Sequence, residues 1–124
     1  SFPTRRSSDL KILLINVNDT DIKKVSDVFV RLRIGTDIVK PEFYGCTLGE
    51  LASGNASAKP AGASFGESIV VMCGLRDKRL DKALFELRHS GVNVDYKAVL
   101  TPTNADWGLE RLVRELRREK LMMR

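Results

Sequence analysis

The chain has 124 residues, of which 43% are hydrophobic and 30% are charged, a composition typical of one globular domain. No apolar run approaches the ~20 residues that a membrane-spanning helix needs, and no signal segment opens the chain, so we predict a cytoplasmic protein. One histidine and two separated cysteines, without a Cys-x-x-Cys pair, exclude the common zinc sites. We therefore predict neither a metal nor a cofactor, and we predict that Cys46 and Cys73 are buried free thiols.

Residues 1–10 stand apart from the rest of the chain. The whole segment resembles the translation of a sequencing adapter joined to the reading frame, so we predict that it is artefactual and that one domain spans residues 11–124. Residues 11–110 carry equal numbers of basic and acidic residues, whereas residues 111–124 carry six basic residues and two acidic ones. The pattern predicts a neutral domain with a basic C-terminal helix.

The first half of the domain predicts a strand, a helix and a second strand. An apolar run at 11–17 is typical of a buried strand, and the Asn-Asp-Thr-Asp sequence at 18–21 favours a helix start. Gly35 is predicted to end that helix as its left-handed residue, and residues 36–40 form the short second strand.

The segment after the second strand contains two distinct signals. Thr47 and Glu50 have the spacing of a capping box, which predicts a short helix ending at Leu51. Residues 53–67 are rich in Gly, Ala, Ser and Pro, and they predict a flexible loop.

The apolar run at 68–75 predicts the central strand, because a strand apolar on both faces must be covered on both faces. Asp77 is predicted to cap the next helix, which Gly91 ends, and residues 94–100 form the last strand. The final basic helix is predicted over residues 105–121, with Thr103 or Asn104 as its cap.

The order of elements predicts a small three-layer α/β sandwich with four mainly parallel strands in the order 2-1-3-4 and helices on both faces. In such sheets, ligands bind at the carboxyl ends of the strands where the winding reverses, here between the first and third strands. The predicted binding residues at this rim are Asn16, Asn18, Gly74, Thr101, Thr103, Asn104 and Trp107.

Polar side chains near a helix N-terminus favour an anion, so we predict a non-catalytic binding or regulatory domain for an anionic small molecule or a protein partner. No residue is assigned a catalytic role, and enzymatic activity is left open without being favoured. One alternative is a thiol-dependent phosphate hydrolase with Cys73 as nucleophile and Arg79 as phosphate clamp, because Cys-x₅-Arg after a strand has that spacing.

A second alternative is nucleic-acid binding by the last helix. At about 100° per residue, one line on this helix combines an indole with three guanidiniums, which suits phosphates and stacked bases. The helical spacing also predicts three ion pairs, which favour a solvated face instead: Glu110 with Arg114, Arg111 with Glu115, and Glu115 with Arg118. The four residues on the line are Trp107, Arg111, Arg114 and Arg118.

The Thr-Pro-Thr-Asn-x-x-Trp sequence at 101–107 and the apolar strand at 70–75 resemble the bacterial domain-of-unknown-function family 3783. The Glu-Phe-Tyr-Gly-x-Thr-Leu-Gly sequence at 42–49 resembles what precedes that domain in longer members. This resemblance covers most of residues 11–120 and implies a small cytosolic protein without an assigned activity.

Overall fold

A computed structural model describes residues 10–60, 62 and 65–122, and it gives side-chain placements up to Lys120. The predicted artefactual segment therefore lies outside the described residues, apart from Leu10. Among the described residues, no helix combines the length and the hydropathy that a membrane span requires. The strands are β1 (Lys11–Ile15), β2 (Gly35–Val39), β3 (Ile69–Cys73) and β4 (Tyr96–Val99), and the helices are α1 (Asp19–Arg31), α2 (Leu48–Ser53), α3 (Asp77–His89) and α4 (Leu109–Met122).

The four strands form one sheet in the order β2-β1-β3-β4, which confirms the predicted order. β1 pairs with β2 and β3 pairs with β4 in parallel, whereas the central β1–β3 pair is antiparallel. The prediction of a mainly parallel sheet is therefore wrong at the centre, and the protein has an α/β fold built on a mixed sheet.

The connection between β2 and β3 does not cross to the opposite end of the sheet. Its α-helix, α2, has six residues and spans about 9 Å, which is less than the roughly 17 Å length of a five-residue strand. A parallel neighbour of β1 would start at the other end of the sheet, whereas an antiparallel neighbour starts at the edge where β1 ends. β3 therefore starts at the edge where β1 and β2 end, which we call the upper edge; β3 and β4 end at the opposite, lower edge.

Alternate residues of the central strands contribute to two hydrophobic clusters. Ile12 and Met72 belong to the first cluster, which also contains core residues of α1 and α3. Leu13 and Val71 belong to the second, which contains core residues of α2 and α4. Buried helix residues are Val25, Phe29, Ala83 and Leu87 in the first cluster and Leu48, Leu51, Leu109 and Leu112 in the second.

The chain consists of two βαβα units with one topology. Unit 1 contains β1, α1, β2 and α2, and unit 2 contains β3, α3, β4 and α4. β3 and α3 begin 58 residues after β1 and α1 and have the same lengths as their counterparts. A half-turn about an axis normal to the sheet, between the paired residues Leu13 and Val71, exchanges the two units.

Equivalent turns of the two units adopt equivalent left-handed backbone conformations. Asn16 and Gly74, which end β1 and β3, have φ values of 58° and 80°. Arg33 and Gly91, which follow α1 and α3, have φ values of 61° and 83°. The prediction for Gly91 is confirmed, whereas that for Gly35 is wrong, because Arg33 takes the left-handed conformation and Gly35 begins β2.

The two first helices start differently. The Asn18 side chain caps α1 by accepting the Asp21 N–H at 2.9 Å, which confirms the predicted helix start. In unit 2 the N-cap is Arg76, because the Leu80 N–H donates to the Arg76 carbonyl, and its side chain makes no capping bond. The prediction of Asp77 as cap is wrong, since Asp77 is the first helical residue.

Contacts with residues 42–46 hold the described part of the segment that was predicted to be a flexible loop. The Gly45 N–H donates to the Lys59 carbonyl at 2.6 Å, and the Lys59 N–H donates to the Glu42 carbonyl at 2.7 Å. The Cys46 thiol donates to the Ser57 carbonyl at 3.1 Å. A Cβ atom at position 45 would lie 2.5 Å from the Lys59 oxygen, so this close approach requires glycine.

The capping box of α2 is confirmed: Glu50 donates its N–H to the Thr47 hydroxyl, and its carboxylate accepts the Thr47 N–H. This helix continues to Ser53, two residues beyond the predicted end, and Gly54 caps it with a φ of 79°.

Candidate functional site

The antiparallel centre separates the predicted binding residues into two groups. Asn16 and Asn18 follow β1 at the upper edge. The predicted crevice between the carboxyl ends of β1 and β3 does not exist, because these ends lie at opposite edges. The other five residues follow β3 or β4 at the lower edge: Gly74, Thr101, Thr103, Asn104 and Trp107.

The two upper-edge asparagines hold neighbouring parts of the chain. The Asn16 amide donates to the carbonyls of Phe65 and Glu67 at 3.4 and 3.2 Å. The Asn18 amide donates to the Asp21 carboxylate at 2.9 Å, in addition to the capping bond. Because these hydrogen bonds account for both side chains, we leave them out of the candidate site.

Four of the lower-edge residues line one cleft of ≈ 330 Å³ between β4 and α4, which we call the β4–α4 cleft. This volume lies at the small end of the range typical of ligand sites. Thr101, Thr103, Asn104 and Trp107 are thus brought together as predicted. The cleft residues are Lys97, Ala98, Val99, Thr101, Thr103, Asn104, Trp107, Leu112, Glu115, Leu116 and Glu119.

Thr101 and Asn104 close a turn at the lower end of the cleft. The Thr101 N–H donates to the Asn104 side-chain oxygen at 2.8 Å, and the Asn104 N–H donates to the Thr101 hydroxyl at 3.1 Å. The Asn104 amide also donates to the Val99 carbonyl at 3.0 Å. The prediction that Thr103 or Asn104 caps the last helix is wrong, because α4 begins at Leu109, after this separate turn.

Trp107 joins the turn to the core and to the helix. Its ring is partly buried against the second cluster, and its carbonyl accepts the Leu48 N–H at 3.0 Å. The Arg111 guanidinium lies 4.6 Å from the ring centroid, a cation–π distance. Arg118 instead pairs with Glu115 at 3.9 Å, which confirms that predicted ion pair.

Two carboxylates and one ammonium group line the β4–α4 cleft. Glu119 and Glu115 extend from α4, where Glu115 is paired with Arg118, and Lys97 extends from β4. The floor is apolar, formed by Ala98 and Leu112. This lining favours a cationic or neutral group over an anion.

The cleft follows the edge of β4 that faces away from β3. The N–H groups of Tyr96 and Leu100 donate to the β3-side carbonyls of Ser68 and Met72 at 3.0 and 2.9 Å. Backbone groups alternate in direction along a strand, so the N–H groups at positions 97 and 99 point away from β3. β4 is the outermost strand in the described part of the chain, so these donors face the cleft side.

The geometry does not support the hydrolase alternative. Cys73 is fully buried in the second cluster, and burial raises the pKa of its thiol to about 12, far from the value of a reactive thiolate. Arg79 is exposed on α3, which packs on the first cluster at the opposite face of the sheet. The nucleophile and the clamp are therefore not brought together.

Both cysteines are free and buried, as predicted. Among the described residues, no group of three or more His, Cys, Asp or Glu side chains could hold a metal ion.

Sequence reasoning missed three charged residues of the cleft: Lys97, Glu115 and Glu119. The signal was present in α4, where Leu112, Glu115 and Glu119 are spaced by three and four residues and lie on one helix face. This face of α4 borders the predicted core stripe. It forms the wall of a cleft only because the edge of β4 lies beside it.

Residues 68–123 match the model of a family described as Domain of unknown function (DUF3783). This match supports the resemblance seen in the sequence, and its limits coincide with unit 2, from the residue before β3 to the end of α4. No curated protein and no solved structure matches the chain.

Proposed function

We propose that the protein is a non-catalytic binding domain whose β4–α4 cleft takes an extended segment of a partner protein as an added strand on β4. The proposal rests on one observation: the cleft runs along the outer edge of β4. Backbone donors at positions 97 and 99 provide the pairing groups of such a strand. Strand addition of this kind is a common mode of peptide recognition.

The side chains of the cleft define the chemistry of the partner segment. Ala98 and Leu112 form an apolar floor for one aliphatic or aromatic side chain, while Glu115 and Glu119 suit a lysine or arginine. A partner segment with an apolar and a basic residue two positions apart satisfies both features, since residues i and i+2 of a strand point to the same side and the floor and the carboxylates both lie on the α4 side of the sheet.

Two features limit the pairing to a short, specific segment. β4 has only four residues, and the Asn104 amide occupies the Val99 carbonyl, so the edge offers few free acceptors. Short strands with charged residues also protect sheet edges from indiscriminate pairing. A partner must therefore gain affinity from the cleft side chains as well as from the backbone.

Selection from a phage-displayed library of random peptides, followed by affinity measurements on two variants, tests this function. Lys97→Pro removes an N–H that makes no bond to β3, whereas Lys97→Ala removes the charge and keeps the donor. We expect Lys97→Pro to weaken the selected peptides by about tenfold or more and Lys97→Ala to change their affinity only a few-fold.

Circular dichroism of both variants establishes that they are folded. Equal losses in the two variants, or peptides that bind Lys97→Pro as well as they bind the unmodified protein, would contradict strand addition on β4.

A further inference from the structure

A second pocket lies on the other side of α4, and its charge is opposite to that of the β4–α4 cleft. It has a volume of ≈ 280 Å³ and lies between the segment that follows β2 and the first turns of α4. Lys59, Arg111 and Arg114 line it, together with backbone of Gly45 and Gly108. We call it the basic pocket.

The three cations of the basic pocket come from two separate parts of the chain. The backbone of Lys59 is held in place because its N–H donates to the Glu42 carbonyl and its carbonyl accepts the Gly45 N–H. Arg111 and Arg114 are three residues apart in α4 and therefore lie on one side of the helix. Arg111 is further oriented by Trp107, 4.6 Å from its guanidinium carbon.

Within the described residues, none of these three cations forms an ion pair with a carboxylate. Glu110 is the one acidic side chain among the described lining residues, so cations outnumber carboxylates by three to one around the pocket. By contrast, the neighbouring cations Arg117 and Arg118 pair with Glu67 and Glu115. Among the described residues, Arg111 and Arg114 thus lack the direct salt bridge that Arg117 and Arg118 form further along the helix.

We infer that the basic pocket binds the phosphate group of a phosphorylated small molecule. Guanidinium groups bind phosphate through paired N–H donors, and two arginines with one lysine supply the charge that a phosphate dianion needs. Gly108 keeps one wall low enough for close approach of a tetrahedral anion, since nothing lies within 4 Å of the place its Cβ would take. This site is separate from the residues that carry the strand-addition proposal.

The experiment uses the full chain and titrates inorganic phosphate, pyrophosphate and a short single-stranded RNA. Calorimetry measures the affinity, and Trp107 fluorescence reports the engagement of Arg111, because the guanidinium lies against the only indole. The test variant is Arg114→Gln, and the matched control is Arg118→Gln, which removes the same charge from the same helix outside the pocket.

We expect saturable phosphate or pyrophosphate binding that weakens by about tenfold in Arg114→Gln and by less than about twofold in Arg118→Gln. Lys59→Gln should weaken it in the same direction as Arg114→Gln. Absence of saturable phosphate and pyrophosphate binding, or equal losses in the two arginine variants, would overturn the assignment. Binding of RNA alone, lost equally in both variants, would also overturn it and would favour an extended nucleic-acid surface along α4.

The same titrations on Lys97→Pro separate the two proposals. Phosphate binding by this variant should match that of the unmodified protein, because position 97 lies in the β4–α4 cleft and outside the basic pocket.

Discussion

Units 1 and 2 share one topology but differ in the helix that follows their second strand. α2 has six residues and ends at a glycine, whereas α4 has 14 residues, of which five are basic and three are acidic. Both units place a cleft beside their outer strand: one of ≈ 280 Å³ next to β2 and one of ≈ 330 Å³ next to β4. Only the β4 cleft has a long helical wall with charged side chains.

The comparison distinguishes the features that both units share from the features that depend on the length of α4. The shared strand–turn–helix spacing sets the sheet, the two clusters and the outer edges. The longer α4 adds the carboxylates of the β4–α4 cleft and, on another side, two of the three cations of the basic pocket, Arg111 and Arg114. The family match covers α4, whereas Lys59 lies outside it.

The largest expected effect is the loss of stability when a buried side chain of the first cluster is truncated. It tests whether the two units fold as one domain. Phe29 and Leu87 occupy equivalent positions 58 residues apart and are both fully buried in the first cluster. Phe29→Ala should lower the free energy of unfolding by about 3–5 kcal/mol and Leu87→Ala by about 2–5 kcal/mol. Because the cluster is shared, each variant should still unfold in a single transition.

Urea unfolding followed by Trp107 fluorescence and by far-ultraviolet circular dichroism checks this expectation. Val30→Ala is the control, since Val30 is 71% exposed and its truncation should change stability by less than about 0.5 kcal/mol. Two separate transitions in Phe29→Ala, with Trp107 of unit 2 unfolding later, would show that the units are independent.

The next effect concerns the left-handed residues that end β1 and β3. Gly74→Ala should destabilise the protein by about 1–2 kcal/mol, because a Cβ atom is unfavourable at a φ of 80°. Gly74→Asn should cost less, since Asn16 adopts the equivalent conformation in unit 1. Thermal unfolding of both variants measures the difference, and a greater loss for asparagine than for alanine would contradict the equivalence of the two turns.

The helix caps give a smaller and asymmetric pair of effects. Asn18→Ala removes the side-chain cap of α1 and should lower the free energy of unfolding by about 1 kcal/mol. Arg76→Ala, at the equivalent position of unit 2, should change it by less than about 0.5 kcal/mol, because the Arg76 side chain makes no capping bond. Equal losses in denaturant unfolding would show that the two helices start alike.

The smallest effect depends on pH and salt. Glu67, just before β3, accepts two hydrogen bonds from the exposed Arg117 guanidinium of α4, and these bonds lower the pKa of the carboxyl below its ordinary value of 4.5. A carboxyl with a lowered pKa in the folded state stabilises the protein above its ordinary pKa, and this stabilisation is lost as the pH falls through the lowered value.

Glu67→Gln should therefore be slightly less stable than the unmodified protein at neutral pH, and the difference should vanish in acid or in high salt. Thermal unfolding across this pH range measures it. A difference that stays constant from neutral to acid pH would contradict a role for the Glu67 charge.

The sequence was sufficient for the features that depend on local pattern. Apolar runs located the strands, and the stripe of Ile22, Val25 and Phe29 located α1. The capping box of α2 and the left-handed Gly91 followed from residue type and spacing. The strand order was also predicted, because short connections restrict the choice.

The direction of β3 is not contained in the local pattern. The 29 residues between β2 and β3 are enough for a parallel crossover, which the prediction assumed, but β3 starts at the edge where β1 ends. Because β3 runs antiparallel to β1, Asn16 and Asn18 lie at the opposite edge of the sheet from the other predicted site residues.

The repeated topology also escaped sequence analysis. Only two of the 23 positions that align residues 11–33 with 69–91 are identical: Asp19 with Asp77 and Lys24 with Lys82. The two units share hydrophobic spacing rather than residue identity, since many side chains satisfy the same buried position.

Thr101, Asn104 and Trp107 were selected for their chemistry, and the structure does gather them at one cleft. Their hydrogen bonds, however, close a turn and join it to the core. The three-residue spacing of Thr101 and Asn104 is that of the Thr47–Glu50 capping box, but it indicates neither the contact with Val99 nor the contact of Trp107 with Leu48. The open edge of β4 beside them could be identified only from the position of β4 at the end of the sheet.

Amide hydrogen exchange along β4, measured by nuclear magnetic resonance on the free chain, tests the central claim most directly. The outer edge of β4 is open if the Lys97 and Val99 amides exchange fast while the Ala98 and Leu100 amides, which face β3, are protected. We predict this alternation, and we predict that a selected peptide slows the exchange of Lys97 and Val99. Uniform protection of all four amides in the free chain would show that the edge is already covered, and it would contradict a docking site on β4.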